Sequence, residues 1–242
     1  FVVVNGEHGL RRAVERLLPG FYPLRSGLTT GTCATAAALA AAIRLLRGDT
    51  PPAVPVILPN GETIEVDVIY GGGYAAVIKD SGDDPDVTDG MEIRAAVVSW
   101  SGECGAGSED SDIKDCYTQK HISLPAPHSP LHEKNVLITI SSGPGVGTVT
   151  LPGFDFPPGS PAINRVPREM IRNNIMALLH PDVPLTVTVS VPGGEEIAAR
   201  TFNPRLGIVG GISIVGVSGI IKPFSKDSFV GSILKCMQVA VA

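Results

Sequence analysis

Three threonines ahead of an alanine-rich stretch are the first residues of this sequence whose type and spacing could do chemistry. Thr29, Thr30 and Thr32 lie beside two glycines, directly before residues that predict a helix. Unpaired N–H groups at a helix start, with hydroxyls nearby, can bind a carboxylate or a phosphate. A helix cap is the plain alternative, but a cap needs only one acceptor side chain. We therefore expect all three threonines to contribute to a binding site for an anion.

The second candidate is an acidic loop between two predicted strands, which contains Asp80, Asp83, Asp84 and Asp86. Carboxylates this close raise one another's pKa, and a raised pKa suits a general base. The same oxygens could hold Mg²⁺ or Ca²⁺, but the spacing lacks the central glycine and the final glutamate of an EF-hand. Solvated turn caps are the plain alternative. We take Asp80, Asp83 and Asp84 as the candidate catalytic residues.

Other motifs of known chemistry are incomplete. The cysteines and histidines of residues 101–133 follow no paired zinc-ligand spacing, and no Gly-x-Gly-x-x-Gly follows a predicted strand. In the glycine-rich stretch 143–147, Pro144 removes one of the N–H donors that a phosphate loop needs. We expect no resident metal ion and no Rossmann-type fold.

The composition excludes several classes of protein. With 242 residues, of which 43% are hydrophobic and 18% charged, the chain is globular rather than disordered. A net charge of −5 and only 5% aromatic residues argue against nucleic acid and anionic membranes as partners. The uncharged stretches 26–43 and 206–221 are too rich in small residues to span a membrane. Four cysteines in this length indicate reduced thiols and a cytoplasmic protein.

The elements that must position these loops predict an α+β fold of mixed sheets with packed helices. The first helix, 33–47, is capped by Thr30 or Thr32 and ended by Gly48. The other predicted elements are a hairpin of strands 54–58 and 64–69, strands 74–79 and 91–100, a surface excursion 101–133, a strand 135–140, a helix 167–179, a hairpin of strands 185–191 and 196–201, and a helix 225–242.

The order loop, helix and hairpin occurs twice in this prediction. Residues 59–64 resemble residues 192–197, and both segments form the turn of a predicted hairpin. We expect two duplicated halves, 1–140 and 141–224, followed by the helix 225–242, which leads to a C-terminal segment missing from the chain. Chance is the alternative, because Pro-Gly-Glu turns are common.

Four segments together resemble the CbiD family, the cobalt-precorrin-5B C(1)-methyltransferases of anaerobic cobalamin biosynthesis. They occur in the family's order: LRSGLTTGTCA (24–34), VIKDSGDDPDVT (77–88), GSPAINRVPREMI (159–171) and FNPRLGIVGGISI (202–214). One departure is Arg165, which stands where the family usually has proline, a change in loop rigidity rather than a lost functional group.

The resemblance implies S-adenosylmethionine-dependent methylation of C-1 of cobalt-precorrin-5B, giving cobalt-precorrin-6A. Cobalt would enter only as part of the corrinoid substrate, whose acetate and propionate groups need cations and N–H donors. Beside the threonines, the residues expected to bind the substrate are Arg25, Lys79, Asn164, Arg168, Asn203 and Arg205. Those expected to bind the methyl donor are Gly207, Gly210 and Gly211.

Two other functions are compatible with the sequence. A phosphate- or nucleotide-using enzyme would use the loop of Thr29, Thr30 and Thr32, and a non-catalytic corrinoid carrier would bind substrate without turnover. A homo-oligomer is compatible with the sequence as well.

Overall fold

The structure, a computed structural model, describes residues 25–99 and 138–223. The predicted excursion 101–133, the start of the predicted strand 135–140 and the helix 225–242 lie outside these ranges. In chain order, residues 25–99 form β1 (Gly27–Leu28), α1 (Thr30–Arg47), β2 (Ala53–Ile57), β3 (Thr63–Asp67), β4 (Ile69–Gly71), β5 (Tyr74–Ile78) and β6 (Glu92–Ser99). Residues 138–223 form β7 (Ile138–Ser142), β8 (Gly145–Val146), β9 (Thr148–Val149), α2 (Arg165–Leu179), β10 (Leu185–Ser190), α3 (Gly194–Ala198), a 3-10 helix (Asn203–Leu206), β11 (Ile208–Val209), β12 (Gly211–Ile212) and β13 (Ile220–Ile221).

Helix α1 is the centre of the core. Alanine has the highest helix propensity, and the small side chains let α1 approach α2 and the strands β5 and β6 closely. Residues 30–43 are all buried. Gly48 ends the helix in the left-handed conformation with φ 77°, as the sequence predicts. The predicted cap was wrong: Thr29 caps the helix, which therefore begins three residues before the predicted start.

A five-stranded mixed sheet covers this helix, in the order β4-β5-β6-β10-β7. Strand β10 pairs antiparallel with β6 and parallel with β7. Its residues alternate between buried and half-buried, because successive side chains of a strand point to opposite faces. The α+β prediction is confirmed, and strands from residues 1–140 and 141–224 lie in one sheet.

The second hairpin of the predicted duplication is wrong. Strands β2 and β3 form the expected antiparallel hairpin, but residues 194–198 form α3 rather than a second hairpin strand. The reason is a close approach of two backbones. A Cβ atom on Gly194 would lie 2.1 Å from the carbonyl oxygen of Gly145, and the Glu195 carboxylate accepts the Gly145 N–H at 2.8 Å. Contacts with β8 thus replace a ladder with β10.

Helix α2 reaches the hairpin through one buried amide. The Asn174 side chain accepts the Ile57 N–H at 2.7 Å and donates to the Ile57 carbonyl at 3.0 Å. It also donates to the carbonyl of Met170 at 2.9 Å. Asn174 therefore completes the backbone hydrogen bonds at the end of β2, as another strand would.

We predict that Asn174→Leu lowers the free energy of unfolding by about 1–3 kcal/mol, because both polar groups of Ile57 lose their partner. Urea denaturation measures the loss. The matched control is Asn173→Leu, since Asn173 is exposed on the same helix, and we expect it to change stability by less than about 0.5 kcal/mol. Equal effects of the two variants would contradict this role of Asn174.

Candidate functional site

The first two motif segments meet at β1. The Leu28 N–H donates to the Asp80 carbonyl at 2.7 Å, and the Asp83 N–H donates to the Arg25 carbonyl at 2.9 Å. Glycines permit this approach: a Cβ atom on Gly27 would lie 2.0 Å from the Ser81 carbonyl carbon, and Gly82 has φ 64°. The acidic loop is therefore fixed against the strand that enters α1.

Two of the three candidate bases are engaged by Arg25. The Arg25 guanidinium donates to the Asp80 carboxylate, and the Arg25 backbone N–H donates to the Asp83 carboxylate. The hydrogen bond from Arg25 holds the pKa of Asp80 below its ordinary value. Asp80 is thus a weak proton acceptor, and Arg25 is paired on the surface rather than free for a substrate.

Lys79 lies inside the protein and is not placed to bind a substrate. Only 1% of its side chain is exposed, and its ammonium donates to the Ser81 hydroxyl and, at 2.8 Å, to the Asp86 carboxylate. Asp86 also accepts the N–H and the hydroxyl of Thr88. Burial opposes ionisation of Asp86, but the bonds from Lys79 and Thr88 outweigh it and lower the pKa of Asp86. The expected substrate contact is replaced by an internal ion pair that shapes the loop.

Asp84 has the carboxylate best suited to accept a proton. It is half-buried, and burial raises its pKa, with a further contribution from the nearby charge of Asp86. Among the described residues no hydrogen bond to its carboxylate is found. A carboxylate with a raised pKa and a free lone pair has the properties of a general base.

The hydroxyls expected to bind an anion are used within the protein. Thr29 accepts the Thr32 N–H at 3.1 Å, and the Thr32 hydroxyl donates to the Gly219 carbonyl at 2.6 Å. The Thr30 hydroxyl accepts the Val215 N–H at 2.8 Å. All three threonines are buried.

Two backbone N–H groups of this helix start are engaged as well. The Gly31 N–H donates to the Val215 carbonyl, and the Cys33 N–H donates to the Thr29 carbonyl. Val215 thus occupies the place expected for an anion. The contacts also remove the support for a nucleotide site at this loop.

The start of α2 borders a pocket of about 300 Å³. Asn164 lies at its edge, and its side chain makes no cap hydrogen bond. Arg168 points instead to the preceding loop, where it donates to the carbonyls of Ile163 at 2.7 Å and Pro161 at 3.1 Å. Burial and the nearby Arg172 lower the pKa of Arg168. Asn164 is thus near a cavity, whereas Arg168 supports the loop from within.

Two of the three glycines expected to bind the methyl donor are packed against neighbouring atoms. A Cβ atom on Gly207 would lie 2.4 Å from the Leu151 side chain, and one on Gly211 would lie 2.3 Å from the Gly145 carbonyl oxygen. Of the three, only Gly210 faces open space. Gly207 and Gly211 are therefore required for packing.

The segment that follows α3 has a buried and an exposed side. Asn203 is buried: its amide donates to the Gly211 carbonyl at 3.2 Å and accepts the Ser213 hydroxyl. Arg205 is exposed, and its guanidinium lies over the ring of Phe202. Among the predicted cations that the structure describes, only Arg205 is exposed without a carboxylate partner among the described residues.

Sequence reasoning missed the partners of these residues. Val215 and Gly219, which bind the threonines, lie far along the chain, although the frequent glycines of 206–221 are a signal for close backbone approach. The sequence suggests Asp86 only as one of the carboxylates of the acidic loop, and its pairing with Lys79 has no local signal. Phe202 lies in a motif segment but carries no polar group that draws attention.

The described residues contain neither a metal-binding cluster nor a membrane-spanning helix. Within residues 25–99 and 138–223, no three His, Cys, Asp or Glu side chains are grouped so that they could hold a metal ion. Across these residues no helix combines the length and apolarity needed to cross a membrane. Burial raises the pKa of the Cys33 thiol to about 12, so this cysteine is a packing residue rather than a nucleophile.

Comparison with known proteins gives one consistent group. A family model described as CbiD matches residues 21–223. A curated relative from Brucella anthropi, named cobalt-precorrin-5B C(1)-methyltransferase, is 43% identical over 227 residues, which is 90% of this chain and 53% of the relative. A relative of the same name from Moorella thermoacetica is 39% identical over 223 residues, or 90% and 52% of the two chains.

A solved structure shows the same likeness. The crystal structure of the cobalamin biosynthesis protein CbiD from Archaeoglobus fulgidus superposes with a TM-score of 0.58 at 32% identity, covering 89% of this chain and 60% of that chain. The chain spans about half the length of the curated relatives it matches.

The buried ion pair generates a prediction about acid stability. Because the pKa of Asp86 is lowered in the fold, its contribution is present above its unfolded pKa of about 3.9 and is lost as the pH falls through the lower folded value. We expect stability to decrease below about pH 4, and Asp86→Asn to show a shallower decrease from a lower starting value. Urea denaturation across pH measures both.

At neutral pH, Asp86→Asn leaves the buried Lys79 ammonium without a carboxylate, and we expect a loss of about 3–5 kcal/mol. Asp49→Asn is the control at neutral pH, since Asp49 is exposed, and should change stability by less than about 0.5 kcal/mol. An Asp86→Asn protein as stable as the parent would refute the pairing.

The helix start generates a second prediction. Thr30→Val keeps the shape of the side chain but leaves the Val215 N–H unpaired, so we expect a stability loss of about 1–3 kcal/mol. Ligand affinity of the folded fraction should not change. Thr139→Val, on an exposed strand position, is the control for the substitution itself. A loss of affinity for any anionic ligand at unchanged stability would contradict this prediction and would support an anion site at the threonines.

Proposed function

The chain belongs to the CbiD family, and from that premise we propose that it takes part in the S-adenosylmethionine-dependent methylation of C-1 of cobalt-precorrin-5B to cobalt-precorrin-6A. The observation that carries this proposal is the similarity along 90% of the chain to relatives named for that methyl transfer. Since the chain spans about half of those relatives, the activity, substrate and methyl donor are all part of the proposal.

The corrinoid substrate has many carboxylates, and a protein of net charge −5 needs local cations to bind it. Arg205 is our candidate for one such contact, because its guanidinium is exposed. A guanidinium can bind a carboxylate with two parallel hydrogen bonds, which fixes orientation as well as position. Arg25, Lys79 and Arg168 are engaged within the protein.

The methylated macrocycle must also lose charge. When a ring carbon takes the methyl group, the sulfur–methyl bond breaks, the donor leaves as a neutral thioether and the macrocycle gains one positive charge. Loss of a proton from the macrocycle restores its original charge. We assign the acceptance of that proton to Asp84, whose carboxylate has a raised pKa. Asp80 and Asp83 are held by Arg25 and so shape the loop around Asp84.

S-adenosylmethionine, when bound, would supply a methyl group activated by its positively charged sulfur. Of the glycines expected to bind this donor, Gly207 and Gly211 are packed against neighbouring atoms, and only Gly210 faces open space. We therefore assign no residue of this chain to the donor. Enzymes of this kind gain most from positioning the two reactants, and this chain's share in our proposal is to hold the corrinoid and to accept its proton.

We propose a cytoplasmic location, supported by the few cysteines of the chain and by the biosynthetic role of its family.

Anaerobic incubation of the protein with cobalt-precorrin-5B and S-adenosylmethionine carrying a labelled methyl group tests the activity. We expect label in the corrinoid, with the Brucella anthropi relative as the positive control. Corrinoid binding without any transfer of label would instead make the chain a carrier, and would contradict the proposed activity.

The assignment of Asp84 makes a separate prediction. Asp84→Asn removes the proton acceptor, so we expect kcat to decrease by about 10²–10⁴-fold. In the parent enzyme kcat should rise with pH as Asp84 loses its proton, and this rise should disappear in the variant. Asp83→Asn is the matched control, because it changes a neighbouring carboxylate of the same loop. Equal losses in both variants would show that the loop, rather than Asp84, was disturbed.

A further inference from the structure

We propose that Phe202 and Arg205 form a docking surface for the corrinoid, in which the Phe202 ring covers an apolar face of the macrocycle and Arg205 binds a peripheral carboxylate. This inference rests on the proposed function for the identity of the ligand. It goes beyond that function by naming the surface and by assigning a role to Phe202, a side chain without any catalytic group.

Phe202 is unusually exposed for an aromatic residue. Its relative exposure is 65%, and the guanidinium carbon of Arg205 lies 5.8 Å from its ring centroid. Scattered apolar side chains are normal on surfaces, but a phenylalanine ring paired with a cation offers two kinds of contact at one place. Such a pair suits a ligand that is apolar in its middle and anionic at its edge.

The backbone beneath this pair is firmly held. Asn203, between the two residues, is buried and bonded to the Gly211 carbonyl and the Ser213 hydroxyl. The 3-10 helix ends at Gly207, which has φ 71° and packs against Leu151. The Gly207 carbonyl accepts both the N–H and the hydroxyl of Thr150. The exposed pair is therefore preorganised, so that binding orders little additional chain.

The charge of the segment fits an anionic ligand. Residues 199–223 contain Arg200, Arg205 and Lys222 but no aspartate or glutamate, in a chain with a net charge of −5. All three cations are exposed. A polycarboxylate would be attracted to this segment more than to the rest of a chain whose net charge is negative.

A simple anion would use only half of this surface. Phosphate or a nucleotide phosphate needs cations and N–H groups, and gains nothing from an adjacent phenylalanine. A corrinoid uses both parts, because its ring presents an apolar face while its acetate and propionate groups surround the rim. A second protein chain is the remaining occupant that could cover Phe202, and the test below separates it.

The test is a spectrophotometric titration with cobyrinic acid, which has free carboxylates, and with its fully methyl-esterified form. We expect Phe202→Ser to weaken binding of both by about tenfold or more, because burial of the ring is lost. Arg205→Ala should weaken binding of the acid by about tenfold or more and leave the ester unchanged. Arg205→Lys should recover part of that loss.

Val98→Ser is the matched control, since Val98 is 57% exposed and lies outside this pair. Parent-like binding by Phe202→Ser or Arg205→Ala would overturn the proposal. So would a Phe202→Ser variant that binds cobyrinic acid normally but changes its sedimentation behaviour, because the ring would then belong to a protein interface.

The titration is independent of methyl transfer, so the two proposals can fail separately. If both corrinoids bind as predicted but no methyl group is transferred, the activity fails and the surface stands. If the protein methylates cobalt-precorrin-5B and neither variant alters corrinoid affinity, the activity stands and the surface fails.

Discussion

The segment from Ser213 to Gly219 holds the start of α1, and the rest of the structure depends on this contact. Val215 exchanges hydrogen bonds with Thr30 and Gly31, and Gly219 accepts from Thr32. The same segment reaches α2, where the Asn164 N–H donates to the Ile214 carbonyl. Through β1, the acidic loop is bound to the same place. All four motif segments therefore converge on the helix starts, which explains why the motifs are rich in glycine and hydroxyl residues.

This convergence divides the polar residues of the motifs into two groups. Where the segments converge, buried groups such as the threonine hydroxyls and the Lys79 ammonium find their hydrogen-bond partners inside the protein, as buried polar groups must. Groups at the edge of this region, such as Asp84 and Arg205, are the ones to which we propose a role toward the ligand. A polar or charged residue in a motif is thus not by itself a site residue, because its hydrogen bonds can all be used to stabilise the fold.

The parts of the fold with local signals could be predicted from the sequence. Helix α1 follows from its alanines and from Gly48, and the β2–β3 hairpin follows from its Asn-Gly turn. Helix α3 could not be predicted, because a contact with Gly145, far from it in the chain, decides its conformation. The use of Thr30 depends in the same way on Val215. The acidic loop was recognised from its residue types, but the choice of Asp84 required knowing which carboxylates Arg25 holds.

Amide hydrogen exchange with and without cobyrinic acid tests most directly whether the ligand binds at the start of α1 or at the surface of Phe202 and Arg205. The account predicts that the amides of residues 29–33 are strongly protected in the free protein and do not change on binding. New protection should appear in residues 202–210. Protection gained at residues 29–33, with none at 202–210, would contradict the account and would show that the ligand binds at the start of α1.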